Sequence, residues 1–284
     1  MMLWLILVWL LGVLTSPVFG QAPRTLDKLK AAHTITLGYR EASYPFSYLA
    51  SDGKPAGYSV DLCTRVVAGL QQQLGLSELR AQWTLVTPET RLAMVADGAI
   101  DLECGSTSNT LSRQEQVDFS HMTFVDGGSL LVSSAAHIER LSDLAGKRVA
   151  VIPGTTTEKV MADVLRKAQV TVRVVPVKEH TEGLVALENG SVDGYASDRV
   201  ILIGLALRAK DPTRLALADQ YFSYEPYGLV LRRGDADFRL AVNRVLSRVY
   251  RSGDIVALYE RWFGPFARAS DLLQAMYLLH SLPE

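Results

Sequence analysis

From Thr34 to Arg208 the chain alternates short apolar runs with segments in which apolar residues recur every three or four positions, and this alternation restricts the fold more than any single motif. The first series has strands at Thr34–Tyr39, Ala81–Val86 and Ala99–Glu103. Between them, Leu62, Val66, Val67, Leu70 and Leu74 place one apolar face on a helix over Val60–Leu74, and Pro88 suits the first position of a second helix running to Asp97. Strand, helix, strand in that order predicts a parallel sheet, which takes its ligands at the carboxyl ends of the strands. A second series repeats the pattern, with strands at Arg148–Ile152, Thr171–Val175 and Ser191–Ala196 and helices opening at Gly154-Thr-Thr-Thr-Glu158, over His180–Glu188 and over Asp198–Arg208. The fold class expected is α/β, with two doubly wound lobes of ordinary domain size.

The two series are not simply consecutive. Met122–Ser133 reads as one strand interrupted by Gly127-Gly128, and Tyr224-Glu-Pro-Tyr-Gly228 leads into a strand at Leu229–Arg232. Both stretches are expected to be crossovers. The helices Ala236–Tyr250, Ile255–Phe263 and Asp271–Leu282 then return to the first lobe. The division expected is a signal peptide at 1–20, lobe 1 at 21–125 plus 226–284, and lobe 2 at 126–225. Two lobes joined by two crossover strands can close on a ligand like a hinge.

Residues 1–14 are uninterrupted apolar sequence, shorter than the roughly 20 residues that span a bilayer. Small residues at Ser16, Gly20 and their neighbours suit cleavage before Gln21, so export is expected. No Lys or Arg precedes the apolar run, and an uncleaved anchor is the rival reading. Export would permit one bridge between Cys63 and Cys104, the only cysteines, but spacing does not say whether they meet, and two buried thiols is the reading favoured. A formal charge of −1 and a pI near 6.5 show no basic excess, so nucleic acid and anionic membrane surfaces are poor candidates as partners. No G-x-S-x-G, HExxH, P-loop or G-x-G-x-x-G is present, and His33, His121, His137, His180 and His280 lack metal-ligand spacing. No catalytic residue, metal or cofactor is therefore expected.

The stretch Asp101–Ser120 is the strongest candidate for chemistry. It reads as a strand ending in a hydroxyl-rich turn, Ser106-Thr-Ser108, followed by a helix start with Ser112 and Glu115 at capping-box spacing and Arg113 one turn in. Free amides, a helix dipole and a guanidinium together suit a carboxylate or phosphate. An ordinary cap beside a solvated arginine is the plain alternative. Arg40 and Arg91, each a typical surface residue when taken singly, lie with Ser106 near the same sheet edge, and that coincidence favours a site.

Gly38-Tyr-Arg40-Glu-Ala-Ser-Tyr-Pro-Phe-Ser-Tyr48, Gly57-Tyr-Ser-Val-Asp61, Glu103-Cys-Gly-Ser-Thr107 through Arg113 to Asp118-Phe-Ser120, Asp143-Leu-Ala-Gly-Lys147 and Gly154-Thr-Thr156 carry a resemblance that spans the mature chain. It resembles the periplasmic solute-binding proteins of family 3, type II, and within them the glutamate/aspartate-binding branch of ABC importers. The resemblance implies a monomer in the periplasm that passes L-glutamate or L-aspartate to an inner-membrane permease. It also implies that Arg113, Ser106 and Ser108 hold the ligand α-carboxylate with the amides at Thr155 and Thr156. Asp198 would take the α-ammonium, while Arg40, Arg91 and His180 would grip the side-chain carboxylate. Three arginines, an imidazole able to take a proton and one carboxylate then balance a dicarboxylic zwitterion. Two departures stand out. Pro88-Glu89-Thr90 occupies the loop where this branch tends to supply a serine, so one ligand hydrogen bond is lost or moves to Thr90, and Glu89 could pair with Arg91. Arg199 beside Asp198 also lacks an evident role. The rival from another class is a cyclohexadienyl dehydratase-like enzyme with Glu89 or Glu179 as general acid.

Overall fold

The computed structural model describes residues 24–264 and 268–283, so the expected signal peptide lies outside the described residues. The chain runs α1 (Thr25–Ala32), β1 (Thr34–Tyr39), a ribbon of β2 (Ala42–Ser43), β3 (Ser47–Leu49) and β4 (Pro55–Ala56), α2 (Tyr58–Gln73), β5 (Arg80–Leu85), α3 (Arg91–Ala96), β6 (Leu102–Glu103), α4 (Leu111–Gln114) and β7 (Val117–Asp126). Next come β8 (Gly128–Ser133), β9 (Arg148–Val151), α5 (Thr156–Lys167), β10 (Arg173–Pro176), α6 (His180–Glu188), β11 (Gly194–Asp198), α7 (Arg199–Ala206) and β12 (Leu215–Leu217). β13 (Glu225–Arg232), α8 (Ala236–Ser252), α9 (Asp254–Phe263) and α10 (Asp271–His280) follow.

Each lobe is built on one five-stranded sheet, ordered β5-β1-β6-β13-β7 in the first and β10-β9-β11-β8-β12 in the second. The expected parallel pairs are present, β1 with β5 and β6, and β9 with β10 and β11. The sheets are nonetheless mixed, because β13 is antiparallel to β6 and β7, and β8 is antiparallel to β11 and β12. A parallel neighbour needs a long crossover connection. β8 follows β7 after Gly127 alone, so no helix precedes it and it enters its sheet in reverse. Glycine is required there: a Cβ on Gly127 would lie 2.7 Å from the Ser223 carbonyl oxygen, where the second crossover passes. The two crossovers run side by side, with Glu225 in register with Asp126.

The helix face anticipated on α2 is the buried one, with Leu62, Val66, Val67 and Leu70 in the core. Phe46, Tyr58, Phe124, Tyr227 and Phe263 pack against one another in lobe 1, mostly edge-to-face or tilted with Phe124 and Tyr227 stacked, ring centroids 4.9 to 6.2 Å apart. Among the described residues no helix is long and apolar enough to cross a membrane.

Cys63 and Cys104 form a disulfide, which corrects the buried-thiol reading. α2 lies across the first sheet with Cys63 facing the end of β6, bringing the Cα atoms to 6.2 Å. The bridge ties the segment bearing Ser106 to α2, and the Ser59 hydroxyl supports it by donating to the Gly105 carbonyl at 2.7 Å. Replacing both cysteines with alanine is expected to lower unfolding free energy by about 4 kcal/mol, mainly because the unfolded chain without the bridge recovers loop entropy over a separation of 41 residues. A denaturant melt in which the double variant matches the wild type would contradict this.

Candidate functional site

The carboxyl ends of β1, β6 and β11 and the amino ends of α3, α5 and α6 converge on a cleft between the lobes. It holds about 380 Å³ of space that no protein atom fills. Eight of the nine residues anticipated from sequence line it: Arg40, Arg91, Ser106, Ser108, Thr155, Thr156, His180 and Asp198. Arg113 lies just outside that lining, half-buried on α4, and its Nη1 donates to the Ser108 carbonyl at 2.9 Å.

The amide supply differs from expectation. α4 is a single turn whose cap is Thr110, the hydroxyl of which accepts from the Arg113 amide; the expected Ser112–Glu115 box does not form. α5 is the true helix entrance. Thr155 caps it by accepting from the Glu158 amide at 3.1 Å, and the first-turn amides that follow have no intrahelical acceptor.

Arg91 is the most unusual group in the cleft. It is 4% exposed, and among the described residues its guanidinium has neither an ion-pair nor a hydrogen-bond partner. Burial first, and then the neighbouring Arg113, push its pKa down to about 9, opposed by the Glu103 and Asp198 carboxylates. Arg40 is equally buried, but its Nη2 donates to Glu179 Oε2 at 2.8 Å across the cleft. Burial also lowers the Arg113 pKa, opposed by the nearby Glu225 and Asp198 carboxylates. His180 is buried beside Arg40 and Arg91, and burial followed by those two charges drives its pKa well down. The imidazole is neutral, which removes it from the expected cation count. Its Nδ1 sits 2.7 Å from the Tyr195 hydroxyl.

The carboxylate count also changes. Sequence reasoning assigned one, Asp198; the structure adds Glu179, Glu103, Asp126 and Glu225. Glu103 is fully buried, with Oε2 accepting from the Thr107 hydroxyl at 2.9 Å and Oε1 unpartnered. Glu225, at the start of β13, accepts at Oε2 from the hydroxyls of Ser108 and Thr156 and at Oε1 from Ser223. Asp198 accepts from the hydroxyls of Tyr227 and Thr157. Burial and the Glu225 charge raise its pKa to about 7, and burial with Asp198 raises that of Asp126 to about 8. The only sequence signal for Glu225 was an acid inside the second crossover, between Tyr224 and Pro226. Glu179 enters the sequence reading only as a general-acid candidate for the dehydratase-like rival, not as a partner of Arg40.

The departures resolve cleanly. Glu89 is exposed and makes no ion pair with Arg91, Pro88 lines the cleft, and Thr90 bonds the hydroxyl and amide of Thr87 on the outer surface. Thr90 is thus exposed and not among the residues that line the cleft. Arg199 points away, donating to the Ala218 carbonyl at 2.6 Å and stacking over Tyr221.

The lobes are closed on one another. Arg208 of lobe 2 lies 4.8 Å from the Tyr44 ring centroid, and a Cβ on Gly204 would come within 2.8 Å of that ring. Glycine at 204 lets α7 approach the other lobe. Chemically, guanidinium groups and helix-start amides suit two carboxylates. The hydroxyl protons of Ser108 and Thr156 are directed at Glu225, so their lone pairs, with Asp198, suit an ammonium.

Residues 35–265 match the family model described as bacterial extracellular solute-binding proteins, family 3. The chain is 39% identical over 254 residues to an L-glutamate/L-aspartate-binding protein of Pseudomonas aeruginosa, covering 89% of this chain and 84% of that one. It is 31% identical over 242 residues to a glutamate/aspartate import solute-binding protein of Escherichia coli (strain K12), covering 85% and 80%. Among solved structures, the cysteine-binding protein of Campylobacter jejuni superposes with a TM-score of 0.76 at 20% identity, over 88% of this chain and 97% of that one, a likeness of fold.

Proposed function

The chain belongs to the bacterial extracellular solute-binding proteins of family 3, and from that premise we propose that it captures glutamate, aspartate or both in the interlobe cleft for an amino-acid ABC importer. It is a binding protein, like its curated relatives, and not an enzyme; their names do not favour the dehydratase-like alternative.

The observation that carries the choice of ligand is Arg91, a buried guanidinium without a counter-ion among the described residues. An uncompensated buried charge costs several kcal/mol, and a ligand side-chain carboxylate relieves it. In this reading Arg40 also faces that carboxylate, and His180, with Nδ1 engaged by Tyr195, offers it the proton on Nε2. Arg113, Ser106 and the amides at Thr155 and Thr156 hold the α-carboxylate. Asp198 takes the ammonium. Ser108 moves from the carboxylate to the ammonium side, because its only proton goes to Glu225.

Lobe 1 is taken as 21–125 plus 226–284 and lobe 2 as 126–225, with 1–20 a signal peptide directing a monomer to the periplasm. There it meets an inner-membrane permease and requires neither nucleic acid nor cofactor. Contacts to both lobes supply the differential binding that favours the closed state.

The test is titration calorimetry on protein unfolded and refolded to strip bound ligand, against glutamate, aspartate, glutamine and asparagine. The acids are expected to bind at least roughly a hundredfold more tightly than their amides, since leaving Arg91 unpaired costs a few kcal/mol. Equal uptake of glutamine and glutamate would overturn the proposal.

A further inference from the structure

The ion pair between Arg40 and Glu179 joins the two lobes. Arg40 follows β1 of the first sheet, and Glu179 precedes α6 of the second. The Arg40 side chain is 2% exposed and that of Glu179 19%, so the pair sits at the edge of the closed cleft with the arginine on the inside. The Arg40 charge thus has an ion-pair partner within the protein, while Arg91, in the same cleft, has none among the described residues and is favoured only by the fields of the Glu103 and Asp198 carboxylates.

We infer that Glu179 is a specificity-determining residue: by pairing with Arg40 across the cleft it locks the lobes together without ligand and cancels part of the positive charge offered to a ligand side chain. The margin between an acid and its amide then rests chiefly on Arg91. This deepens the proposed function and rests on it for the identity of the ligand, but the lock itself does not.

The two effects separate in a Glu179→Gln variant, whose amide keeps the size and one acceptor but loses the charge. Weakening the lock lowers affinity for glutamate and glutamine alike and drops out of their ratio. Losing the negative charge favours only the acid, because glutamine carries no side-chain charge for Glu179 to repel. The ratio of glutamine to glutamate Kd, measured by calorimetry, is therefore expected to rise on the order of tenfold in E179Q and to stay near wild type in E179D. Ligand-free E179Q is also expected to have a larger radius of gyration by small-angle scattering than ligand-free wild type, with E179D between them. An unchanged or smaller Kd ratio in E179Q, or ligand-free lobes no further apart than in wild type, overturns the inference. If wild-type protein binds neither acid, the proposed function fails instead, and the scattering comparison alone decides whether Glu179 holds the cleft shut.

Discussion

Arg91→Ala is expected to weaken glutamate and aspartate close to a thousandfold while leaving glutamine within about tenfold of its wild-type affinity. Removing one member of a buried, desolvated charge pair costs about 4 kcal/mol, because the other member stays buried without compensation, and every 1.4 kcal/mol is a factor of ten. Arg91 is the residue to which this applies most fully. It is buried, its pKa is already depressed to about 9 despite the nearby Glu103 and Asp198 carboxylates, and no described residue forms an ion pair with it, so a ligand carboxylate would be its counter-ion. Glutamine brings no such charge, and for it the substitution removes an unfavourable buried cation. Arg40→Ala should show the same selectivity at smaller amplitude, since the Arg40 charge is already shared with Glu179. Sequence reasoning treated the two arginines as equivalent; the tertiary pairing separates them. Calorimetry of both variants against glutamate and glutamine measures the contrast. Equal losses for the two ligands in Arg91→Ala would remove the side-chain carboxylate from that position.

Arg113→Ala should behave differently, weakening glutamate, aspartate, glutamine and asparagine together, by roughly a thousandfold for each. Every α-amino acid has an α-carboxylate, and Arg113 stands beside the turn, Ser106 to Ser108, assigned to it. Its charge also opposes Glu225, Asp198 and Glu103, the carboxylates that hold its pKa up against burial. Removing the guanidinium leaves those groups nearer to an incoming carboxylate with no cation between them. Arg113→Lys keeps the charge without the fork geometry and should recover part of the loss for all ligands. A loss confined to the acids would place Arg113 on the ligand side chain and reverse the orientation proposed here.

The local elements were legible because their causes are local. The face of α2 follows from Leu62, Val66, Val67 and Leu70 at helical spacing, and His180–Glu188 was read residue for residue as α6. Boundaries failed where a long-range contact intervened. β6 shrank to Leu102–Glu103, and α4 became one turn, because the segment between them is held by the Cys63–Cys104 bridge and the Ser108–Tyr227 strand contact. The mixed order of the sheets was likewise missed, since it depends on β8 and β13 entering from the opposite lobe.

The cleft residues divide along the same line. Arg40, Arg91 and Ser106 could be placed from sequence, because each sits at a strand end or helix start where an α/β fold presents its ligands, whereas His180 is named only by the family resemblance. Residue types and periodicity thus determined the two-lobed fold, the address of the cleft and the supply of guanidinium groups. Only the tertiary structure decided which of those charges are already balanced. Glu179 is 139 residues from Arg40, and Glu225 is 117 from Ser108 and 69 from Thr156. Electrostatic balance in a buried site is set by distance in space and by exclusion of water, and neither is written in the order of residues along a chain.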